Sequence, residues 1–330
     1  MQPRKKPWMA LILLLILLVI GAAGFIVAAR LDQQQSEGII TGQEGSYGEL
    51  PRITWQGATY RQKSGIHTIL VVGYDKSSTD ERVGFRDGGQ CDFLMLLVVD
   101  DKSRTVRQLH IDRDTMTNIT ILGLSGKPAG HKVQQICLAH AFGDNVAYND
   151  QLTREAVEGF LPGVKVESSI SMGFDFIERF NHLVGGVTVT IDDDLSALDP
   201  AMVPGATLKL TDRQAFDFCH ARMTVGDGLN TSRMRRQRVY IDAAAKLMLN
   251  RIKRDGEFAS MMVDSVYDIT HCTLSKGRLI NEINRAASYT LMNQEVLPSE
   301  HWIGEDGYLE CHVKEEDVMA WVLDTFYIKE

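Results

Sequence analysis

The sequence predicts an α/β domain that follows an N-terminal transmembrane helix. Three observations support this fold class. Residues 8–29 form an uncharged, largely apolar run. A continuously apolar run at residues 93–99 and a second run at residues 105–111 flank an Asp-Asp-Lys-Ser turn, as expected for an antiparallel hairpin. Beyond Thr115, strand-like and helix-like segments alternate, which is typical of an α/β domain.

The N-terminal run is long enough for a membrane helix. As a helix, residues 8–29 would extend about 33 Å, and the hydrocarbon core of a bilayer measures about 30 Å. Arg4, Lys5 and Lys6 precede the run, which places the N-terminus in the cytoplasm. We therefore expect a single-pass cell-membrane protein whose domain beyond Arg30 is extracytoplasmic. A cleaved signal peptide is the alternative, although its apolar region would span only about 7–15 residues.

Composition divides the chain into four segments. We expect a cytoplasmic stub and anchor at residues 1–30 and an extracytoplasmic tether at residues 31–64, which are rich in Gln, Gly, Ser and Glu. The main folded domain is expected over residues 65–255, with a first buried strand at residues 68–73. Residues 256–330, where the periodicity weakens, are expected to form a C-terminal helical extension packed on this domain.

The predicted hairpin brings charged side chains to one end of the sheet. Asp92 lies at the start of its first strand, and Arg113 and Asp114 follow its second, so antiparallel pairing places them together. A carboxylate and a guanidinium beside a rigid β core suit a metal-assisted phosphate site. On this stretch alone, a surface ion pair at a strand end is the preferred interpretation.

The later elements are assigned from periodicity and turn signals. Thr211-Asp212-Arg213-Gln214 is a capping box that starts a helix reaching about Arg222. We expect further helices at residues 132–142, 149–160, 174–184, 231–253, 276–289 and 315–326, and strands at residues 164–172, 187–191 and 308–313.

A local cluster of arginines provides a candidate anion site. The net charge of −8 argues against general nucleic-acid binding, which requires a basic surface. The cluster comprises Arg222, Arg233, Arg235, Arg236 and Arg238. Arginines in the first turns of a helix oppose its dipole unless an anion binds there. Arg233 and Gln237 share a helix face because they are four residues apart. Two interpretations of Arg222 and Arg233 stay open, namely an anion site and a solvated basic surface. For Arg235, Arg236 and Arg238 we prefer the solvated surface.

The sequence lacks other catalytic signatures. His110, His131, His140 and His220 show no zinc-ligand spacing, and we find no serine-hydrolase, zinc-protease or phosphate-loop motif. Five cysteines are an odd number. In an oxidising compartment, at least one is therefore unpaired or pairs between chains.

Several dispersed motifs resemble those of the LytR–CpsA–Psr (LCP) family. They are Gly73-Tyr74-Asp75, Cys91-Asp92, Ile111-Asp112-Arg113-Asp114-Thr115, Gly185-Gly186-Val187, Ala221-Arg222 and Arg233-x-x-x-Gln237. The resemblance covers residues 67–249 and implies a three-layer α/β/α sandwich with a mixed central sheet. It also implies a membrane-anchored protein of the bacterial envelope, in which residues 65–255 are an LCP-like catalytic domain.

The same resemblance implies a phosphotransferase. Members of the family transfer a glycopolymer from a polyprenyl-pyrophosphate carrier to peptidoglycan, with Mg²⁺ on the pyrophosphate. By this resemblance Asp75 and Asp92 match the metal ligands and, with Arg113, the catalytic residues. The pyrophosphate-binding residues are matched by Arg113, Arg222, Arg233 and Gln237. The expected partners are the polyprenyl-pyrophosphate-linked glycan, the peptidoglycan acceptor and the membrane, and no nucleic acid.

Three departures from the family pattern keep other functions open. Gln90-Cys91-Asp92 stands where the family has Arg-x-Asp, Arg222-Met223-Thr224 stands where it has Arg-x-Arg, and Asp112 replaces a proline. A hydrolase that uses water at the same site and a non-catalytic lipid- or glycan-binding scaffold therefore remain alternatives. The carrier's tail needs an apolar groove, which residues 174–184 or 241–249 could line, although core packing is the preferred interpretation of these residues.

Overall fold

The structure is a computed structural model that describes residues 50–78, 80, 87–223, 225–226 and 228–330. The predicted membrane helix at residues 8–29 and most of the predicted tether lie outside these residues. Within the described part of the chain, no helix combines the length and the apolar character needed to cross a bilayer.

A mixed six-stranded sheet forms the centre of the fold. Its strands are β3 (Ile66–Tyr74), β4 (Cys91–Asp100), β5 (Thr105–Ile111), β8 (Ser168–Gly173), β11 (Thr270–Cys272) and β12 (Thr290–Glu295), in the order β11-β8-β3-β4-β5-β12. β4 is antiparallel to β3 and β5, whereas β8 runs parallel to β3 and β12 parallel to β5. The predicted hairpin is confirmed, with Leu94 opposite Ile111 and Asp100 opposite Thr105.

The other elements surround this sheet. The remaining strands are β1 (Arg52–Trp55), β2 (Ala58–Gln62), β6 (Met116–Leu122), β7 (Pro128–Gln135), β9 (Thr188–Thr190), β10 (Thr207–Lys209), β13 (Ser299–Ile303), β14 (Leu309–Val313) and β15 (Tyr327–Lys329). The α-helices are α1 (Val146–Phe160), α2 (Phe176–Leu183), α3 (Asp212–His220), α4 (Asn230–Ile252), α5 (Phe258–Val266), α6 (Lys276–Ala286) and α7 (Glu315–Phe326). Short 3-10 helices span Ile136–Ala141 and Tyr267–Ile269.

Helices cover both faces of the central sheet because β4 is apolar on both. Met95 and Leu97 point into a buried cluster with residues of α2 to α6. Leu94 and Leu96 point the other way, into a second cluster with residues of α1 and α7. Burying one such side chain contributes about 1.5–3 kcal/mol, so a strand between two cores is a continuous apolar run. The predicted mixed sheet with flanking helices is confirmed.

The segments on either side of the expected main domain contain more strand than the sequence indicates. In residues 256–330, helices α5, α6 and α7 are accompanied by five strands, of which β11 and β12 form the two edges of the central sheet. β15 pairs with β2, and β2 pairs with β1, so residues 52–62 of the expected tether belong to a three-stranded sheet. The expected helical extension is thus a mixed segment that completes the fold.

The helix expected at residues 132–142 is wrong. These residues continue β7, which pairs with β6 so that Met116 faces Gln135, and then form the 3-10 helix. Most of β7 is exposed, and its Val133 side chain has 53% of its surface accessible. An exposed strand has no core-facing side, so its residue pattern carried no period-two signal.

Candidate active site

The ends of three central strands bring the predicted site residues together. Asp75 follows β3, Asp92 is the second residue of β4, and Arg113 lies just beyond β5. Because β4 is antiparallel to both neighbours, the end of β3 and the end of β5 meet the start of β4, where Tyr74 faces Cys91. Helix α4 supplies Arg233 from its first turn to the same place.

Asp92 is held between two arginines. Its Oδ1 accepts a hydrogen bond from Nη1 of Arg113, and its Oδ2 accepts one from Nη1 of Arg233 at 2.8 Å. Burial by itself would raise the pKa of the Asp92 carboxyl, but the charges of Arg233 and Arg113 outweigh it and hold that pKa below its ordinary value. Asp92 is therefore a carboxylate at neutral pH.

Asp75 is the carboxylate with less compensation. Its Oδ1 accepts a hydrogen bond from the backbone N–H of Gln90 at 2.6 Å. Burial and then the charge of Asp92 raise the pKa of the Asp75 carboxyl, and the lowering effects of the Gln90 hydrogen bond and of Arg113 do not offset them. A cation placed between Asp75 and Asp92 would relieve the repulsion between the two carboxylates. A pair of carboxylates that gains from a bound cation is what a divalent metal site requires.

Arg113 is at the centre of a polar network. Besides Asp92, its guanidinium donates to Oε1 of Gln90, to Oδ1 of Asp114 at 3.2 Å and to Sγ of Cys137 at 3.2 Å. Gln90 thus lies inside the site, at the position where the family resemblance expects an arginine. The contact with Cys137 had no signal in the sequence, because 24 positions separate the two residues.

Arg222 and Gln237 lie at the edge of this network. The predicted capping box of α3 is present, with Thr211 and Gln214 bonded reciprocally, and Arg222 follows the end of this helix. Its Nε donates to the carbonyl of Gly228 at 3.2 Å, and its Nη2 lies 3.8 Å from Oδ2 of Asp114. Gln237 donates to the carbonyl of Cys219 at 3.2 Å, and its buried Oε1 has no partner among the described residues.

The first turn of α4 is anchored by Asn230. Its Oδ1 accepts from Nε and Nη2 of Arg233 at 3.1 and 2.7 Å. Only 3% of the Arg233 surface is exposed, so this bond and the one to Asp92 fix the direction of the guanidinium. Asn230 was missed as a site residue in the sequence. Its position at the start of a predicted helix was the available signal.

The other arginines of α4 divide into two kinds. Arg235 is exposed and pairs with Asp193, in line with the solvated surface preferred from the sequence. Arg236 also pairs with Asp193, at 2.5 Å, but it is buried and donates to the carbonyls of Phe218 and Ala221. The prediction that Arg236 lies on a solvated surface is wrong, because this side chain links α4 to the end of α3.

An apolar cavity of about 110 Å³ opens beside Asp92 and Arg233. It is lined by Val71, Gly73, Asp92, Phe93, Met172, Gly173, Phe174, Phe176, Ile177, Cys219, His220, Arg233, Gln237, Tyr240 and Ile241. The wall thus combines the charged Asp92 and Arg233 and the amide of Gln237 with mostly apolar side chains. Phe174, Phe176 and Ile177 belong to the stretch considered as a groove in the sequence, and Ile241 begins the second one, so both stretches contribute to the cavity wall.

Comparisons with known proteins agree on one family. The LytR_cpsA_psr family model matches residues 54–266. The chain is 26% identical over 194 residues, 59% of its length and 55% of the relative's, to a protein of Halalkalibacterium halodurans named polyisoprenyl-teichoic acid–peptidoglycan teichoic acid transferase TagU. A protein of the same name from Oceanobacillus iheyensis is 27% identical over 272 residues, 80% of this chain and 77% of the relative. The chain thus spans about half the length of the first relative.

A solved structure shows the same fold. The crystal structure of TagV from B. subtilis superposes with a TM-score of 0.59 at 16% identity, and the match covers 80% of this chain and 98% of that one.

Proposed function

Because the chain belongs to the LytR–CpsA–Psr family, we propose that it transfers a glycopolymer from a polyprenyl-pyrophosphate carrier to peptidoglycan. Two relatives carry the name of a teichoic acid transferase that uses a polyisoprenyl-linked donor and peptidoglycan. The proposal includes the membrane location expected from the sequence, with the anchor at residues 8–29 holding the domain close to a lipid carrier.

One observation carries the proposal: Asp92 and Arg233 line an apolar cavity, and Arg113 is paired with the same Asp92. A polyprenyl pyrophosphate has the complementary design, with two negative phosphates attached to a hydrocarbon tail. The tail fits against Phe174, Phe176 and Ile241, and the pyrophosphate lies toward the arginines. Guanidinium groups bind phosphate oxygens in pairs, which favours arginine in this role.

Arg113 and Arg233 provide the charge that the reaction needs. Without a ligand they neutralise Asp92, so a bound pyrophosphate takes over part of their hydrogen bonds. Arg222 adds a third positive charge near Asp114, and Gln237 adds an uncharged amide on the cavity wall. A hydrogen bond to a charged group contributes about 1.5–3 kcal/mol, and preorganised donors of this kind stabilise charge that develops in a transition state.

The donor set of Asp75 and Asp92 fits Mg²⁺. Magnesium is held by one or two carboxylates together with phosphate oxygens. The pKa of the Asp75 carboxyl is raised first by burial and then by the negative charge of Asp92, and a cation at this place would offset both effects. When bound, the ion would draw electron density from the phosphate oxygens and so ease attack at phosphorus. Asp92 would coordinate the ion through an oxygen that no longer accepts a hydrogen bond from Arg113 or Arg233.

The reaction is a substitution at phosphorus. The hydroxyl of the acceptor attacks the phosphorus that carries the glycan, a new P–O bond forms, and the hydroxyl proton passes to the departing phosphate. The bridging P–O bond to the carrier's phosphate breaks, and polyprenyl phosphate leaves. Arg113 and Arg233 orient the pyrophosphate and hold the negative charge that moves onto the leaving phosphate. The apolar cavity keeps the carrier in place and limits access of water to the phosphorus.

A non-catalytic binding scaffold is the second candidate. It is favoured by Gln90, which accepts a hydrogen bond from Arg113 where a positive charge is expected in the family. Thr224 also stands where the family has an arginine. With two cations fewer than the family pattern, the site retains the means to bind a pyrophosphate but has less to stabilise charge during transfer.

Transfer is tested with the full-length chain in detergent micelles, a polyprenyl-pyrophosphate-linked glycan, Mg²⁺ and peptidoglycan fragments. We expect polyprenyl phosphate to be released only when the acceptor is present, and the glycan phosphate to appear on the acceptor. Arg233→Gln should abolish release, whereas Arg235→Gln, on the exposed side of the same helix, should not. Release without acceptor would identify a hydrolase. Binding without release would identify the scaffold.

A further inference from the structure

A second group of metal-ligand side chains lies apart from the two carboxylates of the candidate active site. Asp112, His301 and Cys311 each offer one donor atom, and these atoms lie within 4.8 Å of one another. Among the residues that the structure describes, this is the only group of three or more such donors. The three residues do not form a sequence motif, since Asp112 is far from the other two, and the sequence therefore did not predict this group.

The hairpin of β13 and β14 brings two of the donors together. His301 is directly opposite Cys311 in this hairpin, and side chains of directly opposed residues lie on the same face. The hairpin is fastened to the turn after β5, since the backbone N–H of Cys311 donates to the carbonyl of Asp114 at 2.9 Å. This bond places the paired residues beside Asp112.

The carboxylate of Asp112 is already oriented. Its Oδ1 accepts from Nδ2 of Asn230 at 2.7 Å and from the backbone N–H of Asp114 at 2.9 Å. Its Oδ2 faces Nε2 of His301 at 3.1 Å. Groups that hold one oxygen of a ligating carboxylate and leave the other directed at the metal are typical of the surroundings of metal sites. Thr115 lies beyond Cys311, with its Oγ1 at 3.8 Å from Sγ.

We propose that Asp112, His301 and Cys311 bind one Zn²⁺ ion or a similar cation of intermediate softness. Thiolate, imidazole and carboxylate together are a zinc donor set, and magnesium does not use a thiolate. Donor atoms around a tetrahedral zinc ion lie about 3.3–3.6 Å apart. On binding zinc, the three donor atoms would therefore move together by roughly an ångström. His301 is partly exposed and can move toward the other two. A cavity of about 10 Å³ next to Asp112, Ser299 and Cys311 has room for about one water as the fourth ligand.

The zinc site would brace the proposed active site. Asp112 precedes Arg113 directly, and Asn230 contacts both Asp112 and Arg233 through its two amide atoms. Fixing Asp112 therefore restricts both arginines that face Asp92. This effect on transfer rests on the proposed function, whereas metal binding itself does not, and the two are measured separately.

The experiment uses the full-length chain without a histidine tag and Co²⁺ as a spectroscopic substitute for zinc. We expect one equivalent of Co²⁺ to produce a thiolate-to-cobalt absorption band, and one equivalent of Zn²⁺ to remove it. Mg²⁺ should neither produce nor remove the band. Cys311→Ser should abolish the band, and His301→Gln should weaken zinc binding by about tenfold or more. Cys272→Ser, at a distant thiol on β11, and His312→Gln, on the outer face of β14, are the matched controls and should bind as the wild type does.

Thermal unfolding gives a second result that is independent of the cobalt spectrum. Saturating Zn²⁺ should raise the Tm of the wild type and of both controls, because a ligand that binds the native state stabilises it. The absence of a thiolate band in the wild type, or a band that survives Cys311→Ser, would overturn the proposal. His301 and Asp112 would then be an ion pair that needs no metal.

Discussion

At the scale of single residues, the site is a balance of charges around Asp92. Arg113 and Arg233 each donate to one of its oxygens, and Arg233 is almost completely buried. Arg233 therefore depends on Asp92 for its counter-charge until a pyrophosphate binds, whereas Arg113 also pairs with Asp114. This dependence ties the stability of the free protein to the same residue that the family resemblance assigns to the metal.

We predict that Asp92→Asn abolishes Mg²⁺-dependent transfer and also lowers the free energy of unfolding by about 3 kcal/mol, since breaking a buried ion pair leaves its partner uncompensated. Inorganic pyrophosphate should raise the Tm of this variant more than that of the wild type. In the wild type, Arg113 and Arg233 must give up hydrogen bonds to Asp92 before they bind pyrophosphate, and in the variant this carboxylate is absent. Thermal unfolding with and without pyrophosphate measures both effects. Asp324→Asn, at an exposed ion pair with Arg107, is the control, and undiminished transfer by Asp92→Asn would refute the metal assignment.

We predict that Gln90→Arg tightens binding of a polyprenyl-pyrophosphate analogue. A charge-assisted hydrogen bond replaces a neutral one, a gain of about 1 kcal/mol or several-fold in affinity. The new side chain faces Arg113, so the free variant should unfold at a lower temperature than the wild type. Calorimetry at fixed Mg²⁺ gives the affinity, and Gln90→Glu should weaken it. Equal affinities for wild type and Gln90→Arg would mean that residue 90 does not face the ligand, and tighter binding without faster transfer would favour the scaffold.

At the scale of elements, the stability of α3, the helix that precedes Arg222, depends on its first residues. The Thr211 side chain accepts from the backbone N–H of Gln214, and the Gln214 side chain accepts from that of Thr211. We predict that Thr211→Ala lowers the free energy of unfolding by about 1 kcal/mol. Ser275, which precedes α6 without a side-chain capping bond, is the control, and denaturant titration should show a smaller effect for Ser275→Ala. Equal losses in the two variants would contradict this role of the capping box.

A buried carboxylate joins α1 to the central sheet. Asp150 accepts from Oγ of Ser171 on β8 at 3.0 Å and lies 2.5 Å from Nδ1 of His271 on β11, and His140 lies on its other side at 3.5 Å. Burial would raise the pKa of the Asp150 carboxyl, but hydrogen bonds with His140 and His271 hold it below its ordinary value of 3.8.

We predict that stability from Asp150 is present above the ordinary carboxyl pKa of 3.8 and is lost as pH falls through the lower folded value. The sign follows because the folded protein binds this proton less readily than the unfolded chain does. Asp150→Asn should therefore destabilise the protein strongly near neutral pH and much less in acid below that value. Denaturant unfolding of wild type and variant at both pH values measures the difference. A difference that stays constant with pH would contradict this linkage.

The hairpin of β4 and β5 and the edge strand β12 show what the sequence could predict. β4 packs on both faces, so its residues are uniformly apolar and the strand is visible locally. β12 is an edge strand with largely polar residues, and its partner β5 lies far away in the chain. The same holds for the site: Arg233 was found from its place in a helix, whereas the contacts of Gln90 with Arg113 and of Asp112 with His301 join distant positions. Only tertiary packing could reveal them.

At the scale of the whole molecule, the predicted orientation has a direct test. From the basic residues before the apolar run, we expect the domain to lie outside the membrane. We predict that a protease added to intact cells with a permeable wall releases the domain, by cleavage within residues 31–49. A cytoplasmic marker protein should stay intact in the same samples. Cleavage that requires lysis would contradict the orientation.

The pairing of β15 with β2 joins two distant parts of the chain, as Lys329 faces Tyr60 and the backbone N–H of Glu330 donates to the carbonyl of Thr59. The last strand of the described fold therefore lies beside the hairpin of β1 and β2. Arg52 at the start of that hairpin pairs with Glu330, so a short peptide could connect the two ends. A circularly permuted version, reopened at the β6–β7 turn where Leu124 is fully exposed, should keep every strand of the central sheet. In such a molecule the order of the segments changes, while the arrangement of Asp92, Arg113 and Arg233 does not.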